Sequence, residues 1–181
     1  MNKHVMLKEI KTFTQYDVAL SKLGKGSACG PTTIATLLND SNPTTLTESS
    51  YIRQCYKQSG TTWLGLPAWQ LVFTLRKYGK SEKIAVNCMW DHFTKEIDQN
   101  RAVAIKFDQW SSFKWSSRNF HYRYHWVTGI GYEVEEEKRY LHVLDNGAYD
   151  PLTKQTRESK VERISFDVNK SILTMVTFSP N

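Results

Sequence analysis

At 181 residues, 40% hydrophobic and 23% charged, the chain is long enough to bury a core of its own and ordinary in composition for one globular domain. Its net charge of +6 comes from scattered Lys and Arg, which favours acidic partners such as a cell wall but forms no block of the kind that binds nucleic acid. Three cysteines with no close pair exclude a disulfide framework and a CxxC site, and no run approaches the ~18 apolar residues of a membrane span.

Residues 1–8 lack the apolar stretch of a signal peptide, so the chain as it stands reads as cytoplasmic; removal of a leader would place it outside the cell. Residues 8–20 read as an extended lead-in that contains Gln15. Gly24 and Gly26 then deliver Ser27-Ala28-Cys29-Gly30-Pro31, followed by Ile34, Leu37 and Leu38 on one helical face. Pro is favoured in a first helical turn, so a helix is expected over about 31–39, with Cys29 at or just before its start. A breaker cluster at 39–43 ends it. A second helix follows Thr47, with Tyr51, Ile52 and Cys55 inward and Gly60 as its stop. A third opens near residue 65 with Trp69, Val72, Phe73 and Leu75 facing the core. A fourth spans about 90–100, with Phe93 and Ile97 four apart, and Cys88 just before it reads as structural.

From residue 101 the apolar period becomes that of strands, at 101–107, 125–132, 139–144, 163–167 and 172–178. The polar Glu135-Glu136-Glu137-Lys138 joins the second and third of these as a hairpin. Symmetrical closure sets position 129 against 144 and His125 against about residue 148, with Asp145 within side-chain reach. Residues 150–151 and 154–160 read as a surface loop. His142 reads as a sheet-surface residue, and the sequence offers no partner for His4 or His121. His121 and His125 would pair on a metal only in a helix, so neither a metal nor a cofactor is expected. Helices followed by an antiparallel sheet make an α+β domain over residues 1–181, helical over about 28–100 and sheet over 101–181.

A cysteine at a helix N-terminus is biased toward its thiolate by the unpaired N–H groups and the macrodipole. A nucleophilic cysteine also needs a base within reach and a third group that orients the base. Cys29, His125 and Asp145 supply that set in chain order. Taken singly, each has a plainer reading: a small buried thiol, a strand histidine and a turn aspartate. Residues 107–126 add eight aromatics in twenty positions. Trp110, Trp115 and Trp126 read as a cleft rim that grips an extended peptide or a sugar, with Trp63 on the opposite wall and Trp69 in the core.

Three blocks together resemble the papain-fold cysteine peptidases of the bacteriocin-processing, double-glycine leader peptidase-like family. They are Phe13-Thr14-Gln15-Tyr16-Asp17, the segment from Ser27 to Thr33, and His125-Trp126-Val127-Thr128-Gly129-Ile130-Gly131-Tyr132 with Val143-Leu144-Asp145. The match spans about residues 10–147. It implies a papain-like fold with N-terminal helices on a C-terminal antiparallel sheet, a bacterial or phage source, and peptide-bond cleavage through an acyl-enzyme on Cys29 with His125 as general base. It also implies an oxyanion donor upstream of the cysteine, at Gln15 by block position. The interval from Gln15 to Cys29 is 14 residues, longer than in tighter members, which leaves Ser27 as an alternative donor. Asn146 stands where a proline often follows the acid, so either Asp145 or Asn146 orients the base. The implied substrate is a peptide or protein, cell-wall peptide included. A cell-wall amidase or endopeptidase and a non-catalytic peptide-binding module are the alternatives. Oligomeric state is not legible.

Overall fold

Apolar side chains recurring every three to four residues make the helices of the first half, and runs buried on both faces make the central strands of the sheet. The computed structural model describes residues 2–8, 10–16, 20–114, 119–149, 156–157 and 159–181. Helix α1 spans Lys22–Gly26, α2 Cys29–Ser41, α3 Glu48–Ser59, α4 Ala68–Leu75, α5 Met89–Asp98 and α6 Phe166–Asn169. Strand β1 spans Lys3–Met6, β2 Gly79–Lys83, β3 Val103–Asp108, β4 Tyr124–Glu135 and β5 Lys138–Asp145. Then come β6 at Ala148–Tyr149, β7 at Thr156–Arg157, β8 at Lys160–Ser165 and β9 at Leu173–Pro180.

Among the described residues seven strands form one antiparallel sheet in the order β2-β9-β3-β4-β5-β8, with β1 laid against β4, while β6 and β7 make a separate ribbon. Helices pack on this sheet, which is the expected papain-like α+β arrangement. The sheet is not confined to the second half of the chain, however. β1 and β2 come from residues before 101, and α6 interrupts the strands after it. β2 escapes a pattern search because it reads Gly-Lys-Ser-Glu-Lys, with only Gly79, Ser81 and no apolar side chain turned inward.

Local chemistry explains most element ends. The Thr47 side chain accepts from the Ser50 N–H at the start of α3, and Gly60 ends it at φ 65°, a left-handed conformation that favours glycine. In α4, two stripes four residues apart compete: Trp69 with Phe73, and Leu71 with Leu75. The second is the one packed inward. Leu71, Val72 and Leu75 are buried, whereas Trp69 and Phe73, expected in the core, stand 69% and 65% exposed.

Between β4 and β5 the turn residues Glu136 (φ 46°) and Glu137 (φ 68°) both take positive φ, as a tight two-residue hairpin turn requires. The ladder then pairs Gly129 with Val143 and Gly131 with His142, so Ile130 is the extra residue of a bulge. Thr128 consequently faces Leu144, one residue off symmetrical closure. Gly129 lets α5 sit directly on the strand, since a Cβ there would lie 2.6 Å from the Phe93 ring. Trp126, Tyr132, Phe13, Phe93 and Phe107 are the largest fully buried side chains of the shared core. Among the described residues no helix is long and apolar enough to cross a membrane.

Candidate active site

α2 begins at Cys29 itself, and its cap residue Ala28 offers no side-chain acceptor. The first-turn N–H groups therefore point their partial positive charge at whatever lies at the helix start. A Cβ on Gly30 would lie 2.7 Å from the Leu66 side chain, so glycine is what lets the segment before α4 close over this helix start. Cys29 is almost fully buried.

His125 is the second residue of β4, and Asp145 the last of β5. His125 Nε2 lies 2.9 Å from Asp145 Oδ1. That leaves Nδ1 as the ring nitrogen open to Cys29, and the thiol and the imidazole lie close enough for each to shift the other's titration. Tyr122 donates its hydroxyl to the other Asp145 oxygen at 2.6 Å, and its ring leans on His125 with centroids 4.8 Å apart. Ser159 donates to the Asp145 carbonyl.

Burial works against every charge in this set, and the mutual contacts outweigh it. The His125 hydrogen bond and charge, aided by Tyr122 and Lys160, hold the Asp145 carboxyl below its ordinary value. Asp145 and Cys29 together push His125 up to about 9. His125, with backbone hydrogen bonds at Trp126 and Gly30, holds the Cys29 thiol below its ordinary value. All three directions favour a thiolate–imidazolium pair steadied by a carboxylate. The other cysteines differ. Burial pushes Cys55 up to about 12, and Cys88, partly exposed, donates to the Ala85 carbonyl.

The Asn146 side chain makes no hydrogen bond to His125. Its amide donates to the Cys29 carbonyl (2.9 Å), Thr33 Oγ1 (3.0 Å) and the Trp126 carbonyl (2.7 Å), which ties the start of α2 to β4. Of the two residues the sequence left open, Asp145 is the one at the ring. The Gln15 backbone N–H donates to the Asn146 carbonyl at 2.9 Å, and its buried side chain donates to the Lys25 carbonyl at 3.1 Å. Gln15 is thus folded against α1, the short helix that precedes Cys29. Ser27 donates to the Gly24 carbonyl and shares a hydrogen bond with Tyr56.

The aromatic set divides. Trp63 is 70% exposed and Trp110 55% exposed, whereas Trp115 lies outside the described residues, as do residues 150–155. Trp126 is no rim residue. It is fully buried and donates its indole N–H to the Leu66 carbonyl at 2.8 Å, because its strand position turns it inward beneath the segment before α4. Neither Tyr122 nor the Asn146 tie has a signal in the sequence: Tyr122 is one aromatic among eight, and an Asn before Gly carries the signal of a turn.

The profile of the Peptidase C39 like family matches residues 7–168. Among solved structures, the peptidase domain of Streptococcus ComA, a bi-functional ABC transporter involved in a quorum-sensing pathway, matches with a TM-score of 0.55. The match covers 94% of this chain and 100% of that one at 17% identity, a likeness of fold. No curated protein sequence matches.

Proposed function

The chain belongs to the Peptidase C39 like family, and we propose that it is a cysteine peptidase that cleaves peptide bonds through an acyl-enzyme on Cys29. The observation that carries this reading is the His125–Asp145 hydrogen bond beside the Cys29 thiol at a helix start, with all three groups shifted toward their charged forms by one another. The thiolate attacks the carbonyl carbon, forming a C–S bond and an oxyanion. The imidazolium of His125 gives its proton to the departing amine as the C–N bond breaks. His125, now neutral, takes a proton from water, whose oxygen attacks the thioester and releases the acid. Asp145 keeps the ring in register throughout. The Cys29 backbone N–H and the second N–H of the Gln15 amide, whose first goes to the Lys25 carbonyl, hold the oxyanion, and exposed Trp63 and Trp110 flank the peptide.

Alkylation separates this reading from a binding module of the same fold. At pH 6 an ordinary thiol is only about 0.3% thiolate. Iodoacetamide at that pH is expected to label Cys29 about 10²-fold faster than Cys55 or Cys88, as read by peptide mass mapping. Equal or negligible rates at all three would remove the peptidase reading. A peptide library and purified cell-wall peptide, incubated in parallel, then assign the substrate.

Gln15→Ala is expected to lower kcat by about 10²–10³-fold with little change in KM, because the amide meets charge that exists only in the transition state. A drop confined to KM would move Gln15 out of that role.

A further inference from the structure

Three strands bring together a second cluster of side chains, remote from Cys29 in sequence and unused by the peptidase reading. His4 on β1 lies directly across from Glu133 on β4, and Glu133 lies across from Tyr140 on β5. His142 is two residues further along β5, so it emerges on the same face as Tyr140. One ligand atom from each of His4, Glu133 and His142 lies within 4.8 Å of the other two. The His142 Nε2 is already 3.1 Å from Glu133 Oε2, and the His4 and His142 rings are 4.9 Å apart. His142 is therefore not the solvent-facing residue its alternation suggests. It is largely buried, with a carboxylate and a second imidazole around it.

We propose that His4, Glu133 and His142 form a divalent cation site of the zinc class that pins β1 to β4 and β5. Two imidazoles with one carboxylate suit zinc and its neighbours, and an oxygen-seeking ion such as calcium or magnesium poorly. Ligand atoms around tetrahedral zinc sit about 3.3 Å apart, given bonds of about 2.0–2.1 Å. The Glu133–His142 pair already has that spacing. His4 is exposed, so rotation of its side chain closes the rest. Arg163 orients the carboxylate from behind: its Nη2 donates to Glu133 Oε1 at 3.0 Å and to Glu135, and its guanidinium lies 3.4 Å over the Tyr140 ring. Its Nε also donates to Oε2 at 2.9 Å, a bond the cation displaces while the Nη2 bond stays. The cation has a clear structural task, since among the described residues β1 pairs with no strand except β4, over four positions.

The test uses the full chain carrying Cys29→Ala, so that the thiol and His125 cannot take the metal. Equilibrium dialysis against zinc should give one ion per chain. Cobalt(II) in its place should show a nitrogen- and oxygen-ligated spectrum without sulfur charge transfer. At zinc about a hundredfold above its Kd, Tm should rise by about 5–10 °C. His4→Ala, at an exposed position, should leave the metal-free Tm unchanged, weaken zinc at least tenfold and lose the Tm rise. Glu133→Gln should weaken zinc likewise. Absence of binding, sulfur charge transfer in the cobalt spectrum, or an affinity unchanged in both variants would overturn the site. None of these results bears on whether Cys29 is a nucleophile, because every sample lacks it.

Discussion

Peptide hydrolysis should vanish in Cys29→Ala and fall by about 10⁴-fold or more in kcat/KM in His125→Ala, with the far-ultraviolet spectrum unchanged in both. The size follows from the role. Without the ring, the thiol has no partner to hold its charge and the leaving amine has no proton donor. The pH profile carries a second signature. Turnover needs Cys29 ionised and His125 protonated, so the alkaline limb should fall near pH 9, where His125 loses its proton. The acid limb should lie below the ordinary thiol range, because Cys29 is shifted down. Stability follows the same signs. His125 has a folded pKa above its unfolded value of about 6.5, so its charged contacts stabilise fully below that pH and fade as pH rises through about 9. The Tm advantage of the native chain over His125→Ala should accordingly shrink between pH 7 and 10. In that variant, alkylation of Cys29 should rise with pH like an ordinary thiol. A pH 6 alkylation rate that survives the substitution would detach His125 from the thiol altogether.

What the sequence reveals of this site, and what it hides, follows from how far apart the cooperating groups lie. The start of α2 is legible because Gly30, Pro31 and the apolar stripe behind them are contiguous. The hairpin of β4 and β5 is legible because its turn is four charged residues between two apolar runs. The bulge at Ile130 is not, since nothing in His-Trp-Val-Thr-Gly-Ile-Gly-Tyr says which glycine absorbs the extra residue. Faces are harder than elements. α4 carries two apolar stripes, and only the tertiary packing decides that Trp69 and Phe73 stay outside. Trp126 reads like its neighbours in an aromatic-rich segment, yet its indole N–H finds the Leu66 carbonyl sixty residues away and the whole side chain is buried. The Asn146 tie and the cluster of His4, Glu133 and His142 depend on contacts between distant segments that no local pattern encodes.

Asp145→Asn gives the other large effect, because it changes the proton arrangement of the site while keeping its shape. In the native chain one Asp145 oxygen meets His125 Nε2 and the other accepts from Tyr122. An asparagine that keeps its oxygen toward Tyr122 must turn its NH₂ toward His125, where Nε2 can then only accept. The ring proton is forced onto Nδ1, the imidazolium is no longer stabilised, and the base begins the reaction in the wrong tautomer. A fall of up to about 10⁴-fold in kcat is expected, as when the orienting acid of a serine triad is replaced by its amide. His125 should also lose part of what raises it, so the alkaline limb should move from about 9 toward the ordinary histidine range. Alkylation at pH 6 should slow in parallel. A purely structural aspartate would shift Tm and leave that limb in place, so the position of the limb distinguishes an orienting carboxylate from one that merely closes the end of β5.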